Sequence, residues 1–413
     1  MDEKLTIVMI SMHTSPLAQP GQGDAGGMNV YIRNLTDALV RAGHQVLAFT
    51  RKTLRTGDTV ILDEGTQSKV IPLPVGQLKL QKGALAELTE EFAEKLLSTV
   101  GDHARHPIVL HSHYWLSGLA AIHAATRLGS PVIHTMHTLG AAKNESAPGT
   151  EPAYRLEREA YISAKANVVT ANTVVEKHEL IAHTGVLPGR VEVVHPGVDH
   201  RIFNSTGPRH WPGRTAVGPL RVLFAGRFQR FKGPHVLVRA LAVLRDRGHR
   251  NLPVVHFTGA VSGSEEYDPR AQAHLLGVAQ SCSFSAPVAP AVLASYMRGA
   301  DVVAVPSVAE SFGLVAVEAQ ACGTPVLAHR AGGLSTAVSH GVSGCLVDSL
   351  DPREWADVLE TIMAEPTTWQ ARSIAGIQHA AGFSWTAMAQ RMLEIYTSAS
   401  RSSETTGGAT RHG

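Results

Sequence analysis

Glu310 and Glu318 frame the run Glu310-Ser-Phe-Gly-Leu-Val-Ala-Val-Glu318, two carboxylates eight residues apart around a glycine turn. Before it lies Ala300-Asp-Val-Val-Ala-Val-Pro-Ser307, a short buried-strand pattern, and after it Gly323 and Pro325 end a helix. At about 100° per residue, helical positions eight apart differ by roughly 80°, so the two acids face a similar side. Free amides at the helix start between them favour a phosphate. Together these groups suit an anionic sugar nucleotide, with amides for the diphosphate and carboxylates for hydroxyls. The same letters also describe an amphipathic helix with solvated acids, and both readings stand at this point.

Further candidates lie at other strand ends. The first strand runs through Ser11-Met-His-Thr-Ser-Pro16 into Gly21-Gln-Gly-Asp-Ala-Gly-Gly-Met-Asn29. Glycine at that density lets backbone approach a ligand closely. The loop is too long for a dinucleotide turn. Residues 28–40 read as a helix whose start adjoins this loop, a second anion position. Arg227 and Lys232 follow the strand Val222-Leu-Phe-Ala225, where a diphosphate needs cations; solvated loop bases are the alternative. His111-Ser-His-Tyr-Trp115 and His134-Thr-Met-His-Thr138 each close a strand, and neither has zinc spacing. Arg155 and Glu159, four apart, read from spacing alone as a surface pair.

The elements that must position these residues alternate between short apolar runs and longer helical patterns. Strands are expected at 5–10, 46–50, 70–75, 108–111, 132–134, 168–170 and 191–194, then at 221–225, 254–258, 282–285, 302–305, 326–328 and 345–347. This β/α alternation predicts two doubly wound α/β domains with parallel sheets, facing across a cleft. Ligands of such sheets bind beyond the carboxyl ends of the strands. The Gly- and Pro-rich stretch 203–219 reads as a linker. The expected division is 1–205 and 206–383, with a helix around 384–399 packing back on the first domain and a disordered tail at 400–413.

Bulk properties narrow the function classes. The 413 residues are 44% apolar and 17% charged, enough for large cores. A net charge of +2 is too near neutral for a nucleic-acid track. No apolar window is long enough to span a membrane, and the start lacks a signal-peptide layout, so the chain reads as soluble and cytoplasmic. Cys282, Cys322 and Cys345 show neither metal spacing nor a disulfide framework.

With these residues in view, the chain resembles the retaining glycosyltransferases of family 4, which have the GT-B fold. The resemblance rests on Gly226-Arg-Phe-Gln-Arg-Phe-Lys-Gly233 and the two glutamates, and it covers nearly the whole chain apart from the linker and tail. Met9-Ile-Ser-Met-His-Thr-Ser-Pro16, Gly23-Asp-Ala-Gly-Gly-Met-Asn-Val-Tyr31 and His111-Ser-His-Tyr-Trp-Leu-Ser-Gly118 resemble the branch that opens mycothiol biosynthesis. That branch transfers N-acetylglucosamine from UDP-GlcNAc to 1D-myo-inositol 3-phosphate with retention. The resemblance implies His137, Arg227, Lys232 and Glu310 as catalytic residues. It implies donor contacts at Gln19, Pro20, Gly27, Arg227, Lys232, Val288, Glu310 and Glu318, with Val288 standing where the family can have arginine. Acceptor contacts are implied at His13, Asp24, Ala25, Gly26, Gly27, Met28, Asn29, Lys82, Tyr114, Thr138 and Arg155, the last four holding the phosphate. A structural Mg2+ is implied at Met297, Arg298, Ala300 and Thr324, mostly through backbone, with no cofactor needed for the chemistry. A homodimer is implied, with no nucleic-acid or membrane partner. The competing expectations are another family 4 enzyme, resembling a sucrose-phosphate synthase or a phosphatidylinositol mannosyltransferase, and a non-catalytic sugar-nucleotide sensor.

Overall fold

The computed structural model describes residues 4–21, 25–80, 82–146, 149–211, 218–261 and 267–408, with the side chains of 82, 146 and 403–408 outside that description. The chain divides into two compact units: 1–18, 27–195 and 385–413 form one, and 19–26 with 196–384 form the other. The division thus falls at 195/196, before the Gly- and Pro-rich stretch, because Phe203 and Trp211 are buried in the core of the second unit.

The first unit holds eight strands: β1 (Thr6–Ile10), β2 (Gln45–Arg51), β3 (Val60–Asp63), β4 (Ser68–Leu73), β5 (Ile108–His113), β6 (Val132–Thr135), β7 (Val168–Ala171) and β8 (Val191–Val193). Their order is β3-β4-β2-β1-β5-β6-β7-β8. Every residue of Thr6-Ile-Val-Met-Ile10 is buried, as a strand covered on both faces requires. β3 was not expected from the sequence. It pairs antiparallel to β4 at the edge of an otherwise parallel sheet, with Val60 and Ile61 exposed, so no core pattern marks it. The Gly27–Arg41 helix buries Tyr31, Ile32, Leu35 and Leu39 along one stripe. The final helix, Trp385–Gly408, returns to this unit, where Trp385 meets Tyr31 edge-on and Tyr396 reaches His111. It continues through 400–408, so this part of the expected disordered tail is helical. Within it Ser402 Oγ donates back to Ser398 O at 3.0 Å. Residues 409–413 lie outside the described residues.

The second unit is a fully parallel sheet of six strands: β9 (Arg221–Ala225), β10 (Val254–Thr258), β11 (Cys282–Ser285), β12 (Val302–Val305), β13 (Val326–His329) and β14 (Gly344–Val347). Their order is β11-β10-β9-β12-β13-β14. Each sheet reverses its winding once, between β1 and β5 in the first unit and between β9 and β12 in the second. These are the switch points at which loops splay apart and leave a crevice. His13 and Tyr114 follow β1 and β5, and Arg227 and Glu310 follow β9 and β12. No helix of the described residues is long and apolar enough to cross a membrane.

One close approach fixes the second switch point. Gly233 has φ +74° and opens the Pro234–Asp246 helix, and a Cβ there would lie 1.9 Å from Pro306 O. Phe231 O accepts from Val308 N at 2.9 Å, tying the same two loops together. Gly233→Ala is therefore expected to destabilise the protein by about 2–4 kcal/mol, through both strain and a backbone clash. Urea unfolding checks this, and a wild-type midpoint would show that the loops need no such contact.

Candidate functional site

In the second unit, the loops after β9 and β12 bring Lys232 and Glu310 together. Lys232 Nζ donates to Glu310 Oε1 at 2.5 Å, with side chains 23% and 20% exposed. Ser307 Oγ donates to the same oxygen at 3.0 Å, and Gly333 N donates to Glu310 O at 2.7 Å. The glycine pair 332–333 makes this possible: a Cβ on Gly332 would lie 2.3 Å from Glu310 O, and one on Gly333 2.3 Å from Ser311 O. The helix Leu314–Ala321 then starts from Gly313, which has φ +100° and no side-chain cap. Its first amides are left for another acceptor.

Glu318 differs from Glu310. It is 9% exposed, and burial pushes its carboxyl up to about 7. The sequence pairs the two acids, but their surroundings separate them into one ion-paired group and one whose protonated form burial favours. Arg227 is half-buried after β9, with no ion pair among the described residues. Gly26 approaches it, the would-be Cβ lying 3.9 Å from Arg227 Nε. Gln19 Nε2 donates to Val288 O at 3.3 Å, so that carbonyl already has a partner. Gly21 lies against Pro287, and Pro20 sits in the same turn.

In the first unit, Arg155 is not a surface residue. It is 2% exposed, and every arm of its fork has an acceptor. Nε donates to Glu159 Oε1 at 2.7 Å, Nη1 meets Glu151 Oε1 at 2.7 Å, and Nη2 donates to Thr138 O at 2.9 Å and Thr138 Oγ1 at 3.2 Å. The guanidinium lies 4.9 Å from the Tyr114 ring centroid, and the His13 ring lies tilted at 44° to Tyr114, 4.5 Å away. Four of the expected acceptor residues, His13, Tyr114, Thr138 and Arg155, are thus brought together. Glu159 Oε2 also accepts from Gly140 N at 2.8 Å, which pins the loop carrying His137 and Thr138. Glu151 Oε1 is shared with Lys143 Nζ at 2.8 Å. Burial raises the Glu151 carboxyl, but Arg155 and Lys143 outweigh it and hold the group below its ordinary range. Sequence reasoning passed over Glu151 and Lys143, although a glutamate four residues on either side of Arg155 was a visible signal.

His137 is 7% exposed and has φ +62°; Tyr114 has φ +74°. Two non-glycine residues held in the left-handed region, each at the end of a central strand, mark stored strain of the kind found at sites. His137 Nε2 lies 2.9 Å from His113 Nδ1, and the Tyr31 ring stands edge-on to His137 at 4.8 Å. Burial, with nearby His134, pushes His137 down to about 3, so it is neutral. Burial first, and the neighbouring imidazoles after it, hold His111 and His113 well below the ordinary range.

Other expected contacts fall differently. Asn29 is 1% exposed and spends its amide nitrogen on Thr14 Oγ1 at 2.9 Å and Ser15 O at 2.6 Å, so its side chain shapes the loop after β1. Ala25 is buried, Gly27 opens a helix, and Met28 packs toward the core. Asp24 and the Lys82 side chain lie outside the described residues. The magnesium quartet does come together: Thr324 Oγ1 donates to Met297 O at 2.6 Å, and Ala300 N reaches the same oxygen at 3.1 Å. Arg298 donates to Pro208 O and Asn204 O. A hard cation needs several free oxygen ligands. Met297 O already accepts two hydrogen bonds, so a cation there would have to share that oxygen. No cluster of three or more His, Cys, Asp or Glu suited to a metal occurs among the described residues.

The burial of Glu318 sets a pH dependence. Its folded value of about 7 lies above the ordinary 4.5, so the folded state holds a proton that the unfolded chain releases. Stability is fullest below pH 4.5 for this group and falls by up to roughly 3 kcal/mol as pH rises to about 7. Glu318→Gln should flatten the profile across that window. Parallel profiles for variant and wild type, measured by denaturation at each pH, would contradict the assignment.

Known proteins resemble this chain along nearly its whole length. Residues 25–201 match the family described as Glycosyltransferase Family 4, and residues 210–378 match Glycosyl transferases group 1. The D-inositol 3-phosphate glycosyltransferase of Paenarthrobacter aurescens is 40% identical over 95% of this chain and 98% of its own. The D-inositol 3-phosphate glycosyltransferase 1 of Catenulispora acidiphila is 41% identical over 95% and 96%. Among solved structures, the sucrose-phosphate synthase of Thermosynechococcus elongatus superposes with a TM-score of 0.83 at 28% identity, covering 96% of this chain and 99% of that one. Anabaena Alr3699/HepE with UDP and glucose superposes at 0.73 and 20% identity, over 96% and 100%, and shares the fold. With two doubly wound units of the GT-B fold and relatives this similar end to end, the chain belongs to the D-inositol 3-phosphate glycosyltransferase family within glycosyltransferase family 4.

Proposed function

We propose that the enzyme transfers N-acetylglucosamine from UDP-GlcNAc to 1D-myo-inositol 3-phosphate with retained configuration, the opening step of mycothiol biosynthesis. The observation that carries this reading is the buried Arg155, with Tyr114 and Thr138 around it. A guanidinium fork recognises a phosphate in two directions at once. Glu151 already holds one arm as an anion, and an acceptor phosphate competes for that same arm. The names of the relatives supply the acceptor class. Lys82 joins the phosphate in this reading, and His13 faces the inositol ring.

On the donor side, Arg227 and Lys232 neutralise the diphosphate and stabilise charge on departing UDP. Glu310 and Glu318 hold hydroxyls of the sugar and ribose, and His137 faces the transferred sugar. Retention by double displacement would need a carboxylate nucleophile, and the reading assigns none. Instead the acceptor hydroxyl attacks the anomeric carbon on the face that UDP leaves. The new C–O bond forms as the C–O bond to phosphate breaks, and the hydroxyl proton passes to the departing phosphate oxygen. Catalysis is then positioning plus electrostatics. No step runs through a metal ion. In the same reading the enzyme is a cytoplasmic homodimer.

Likeness to the sucrose-phosphate synthase favours a second reading, a hexosyltransferase with a sugar-phosphate acceptor. UDP release across UDP-GlcNAc and UDP-glucose, each with inositol 3-phosphate and fructose 6-phosphate, separates the two. The proposal expects turnover with the first donor and first acceptor. Turnover only with fructose 6-phosphate selects the second reading, and tight binding with no turnover selects a sensor.

Arg227→Ala and Lys232→Ala should each cut turnover by about 10²–10³-fold while shifting stability by no more than about 1 kcal/mol. Equal loss of stability and activity would contradict their role. Arg155→Ala would leave Glu159 buried without its partner, at a cost of about 3–5 kcal/mol. Arg155→Lys is the cleaner probe, because it keeps the charge and loses the fork. It should raise the acceptor KM about tenfold or more and leave the donor KM unchanged; an unchanged acceptor KM would remove Arg155 from the phosphate site.

A further inference from the structure

His113 touches no substrate in the reading above, yet its two nitrogens are unequal in a way that reaches His137. Its Nδ1 lies 2.9 Å from His137 Nε2, and its Nε2 lies 3.3 Å from Met9 Sδ. His113 and Met9 are fully buried, at the ends of the neighbouring strands β5 and β1. A thioether has lone pairs and no proton to give, so it can only accept. A bare Nε2 would set lone pair against lone pair, so Nε2 of His113 carries the hydrogen. A neutral imidazole has one N–H, and burial holds both rings neutral. Nδ1 of His113 is therefore bare and accepts, and His137 Nε2 donates to it. His137 has then spent its own proton, and its Nδ1 is a bare lone pair.

His111, two residues earlier, shows the contrast. Its nitrogens meet Tyr396 OH at 2.7 Å and Thr135 Oγ1 at 2.9 Å. Hydroxyls give or accept, so nothing fixes that tautomer. Only the sulfur makes the His113 chain one-way. The Tyr31 ring, edge-on to His137, and the left-handed backbone at His137 hold the second ring in place.

We propose that Met9 and His113 are positioning residues that lock His137 as its Nε2–H tautomer, presenting Nδ1 as an acceptor for a hydroxyl of the transferred sugar. This rests on the reading of His137 as facing that sugar. The site thereby selects a sugar whose hydroxyl can donate at that point, and disfavours a deoxy or O-alkylated sugar there.

The test uses the full chain with 15N-labelled histidine and long-range proton–nitrogen correlation spectra, assigned by difference with His113→Asn and His137→Asn. His113 and His137 should both appear as Nε2–H tautomers, and UDP-GlcNAc should shift His137 Nδ1 toward the hydrogen-bonded range. Met9→Leu, which keeps the volume and removes the acceptor, should give mixed tautomers at His137 and raise the UDP-GlcNAc KM about three- to tenfold with kcat nearly unchanged. His113→Asn, whose amide oxygen can take the place of Nδ1, should restore most of the KM that His113→Leu loses. An Nδ1–H tautomer at His137 in the wild type overturns the relay, whatever the activity. A single Nε2–H tautomer and wild-type KM in Met9→Leu overturn the part given to the sulfur. An Nε2–H signal that UDP-GlcNAc leaves unmoved overturns the sugar contact while leaving the relay standing, so the two failures are distinguishable.

Discussion

Arg155 is a full charge taken out of water, and the first unit is arranged around compensating it. Removing a guanidinium from solvent costs several kcal/mol unless every donor finds an acceptor. Glu159 and Glu151 supply charge, Thr138 supplies two oxygens, and the Tyr114 face covers the plane. That compensation also does positioning work. Glu159 reaches from Arg155 to Gly140 and so ties the helix at Ala153–Lys165 to the loop after β6. His137 sits on that loop with a strained backbone, and its ring is fixed from the other side by His113 and Tyr31.

The second unit solves a different problem, bringing free amides and cations to one strand edge without burying them. Here backbone contact sets the geometry. Gly233 lies against Pro306, and Gly332 and Gly333 lie against Glu310 and Ser311. The Lys232–Glu310 pair that results keeps a fifth of each side chain in solvent, so it stays exchangeable with a ligand's charge. Glu318, one helix farther in, has no such freedom, and its proton is held by burial.

Much of this was legible in the sequence. The apolar runs gave thirteen of the strands because parallel strands buried on both faces read as uninterrupted hydrophobic stretches. β3 escaped because an exposed edge strand carries no core pattern. The two glutamates and Arg227 with Lys232 were visible because they follow strand patterns at short, fixed spacing. Arg155 was not. Glutamates four residues away look the same on a solvated helix as in a buried network, and only packing of distant elements tells them apart. The relay from Met9 to His137 was equally hidden, since it joins residues of three strand ends far apart in the chain. The division between units was also displaced, because composition flags a linker by its glycine and proline while Phe203 and Trp211 within it are buried.

Which bond is made decides the mechanism. Proton NMR of the product formed from UDP-GlcNAc and 1D-myo-inositol 3-phosphate reads it directly. The expected spectrum shows one new N-acetylglucosamine anomeric signal with the small coupling of an α-linkage, appearing in step with free UDP. A large-coupling β-signal would contradict the front-face mechanism. Release of UDP with only free N-acetylglucosamine, and no inositol adduct, would contradict the acceptor assigned to Arg155.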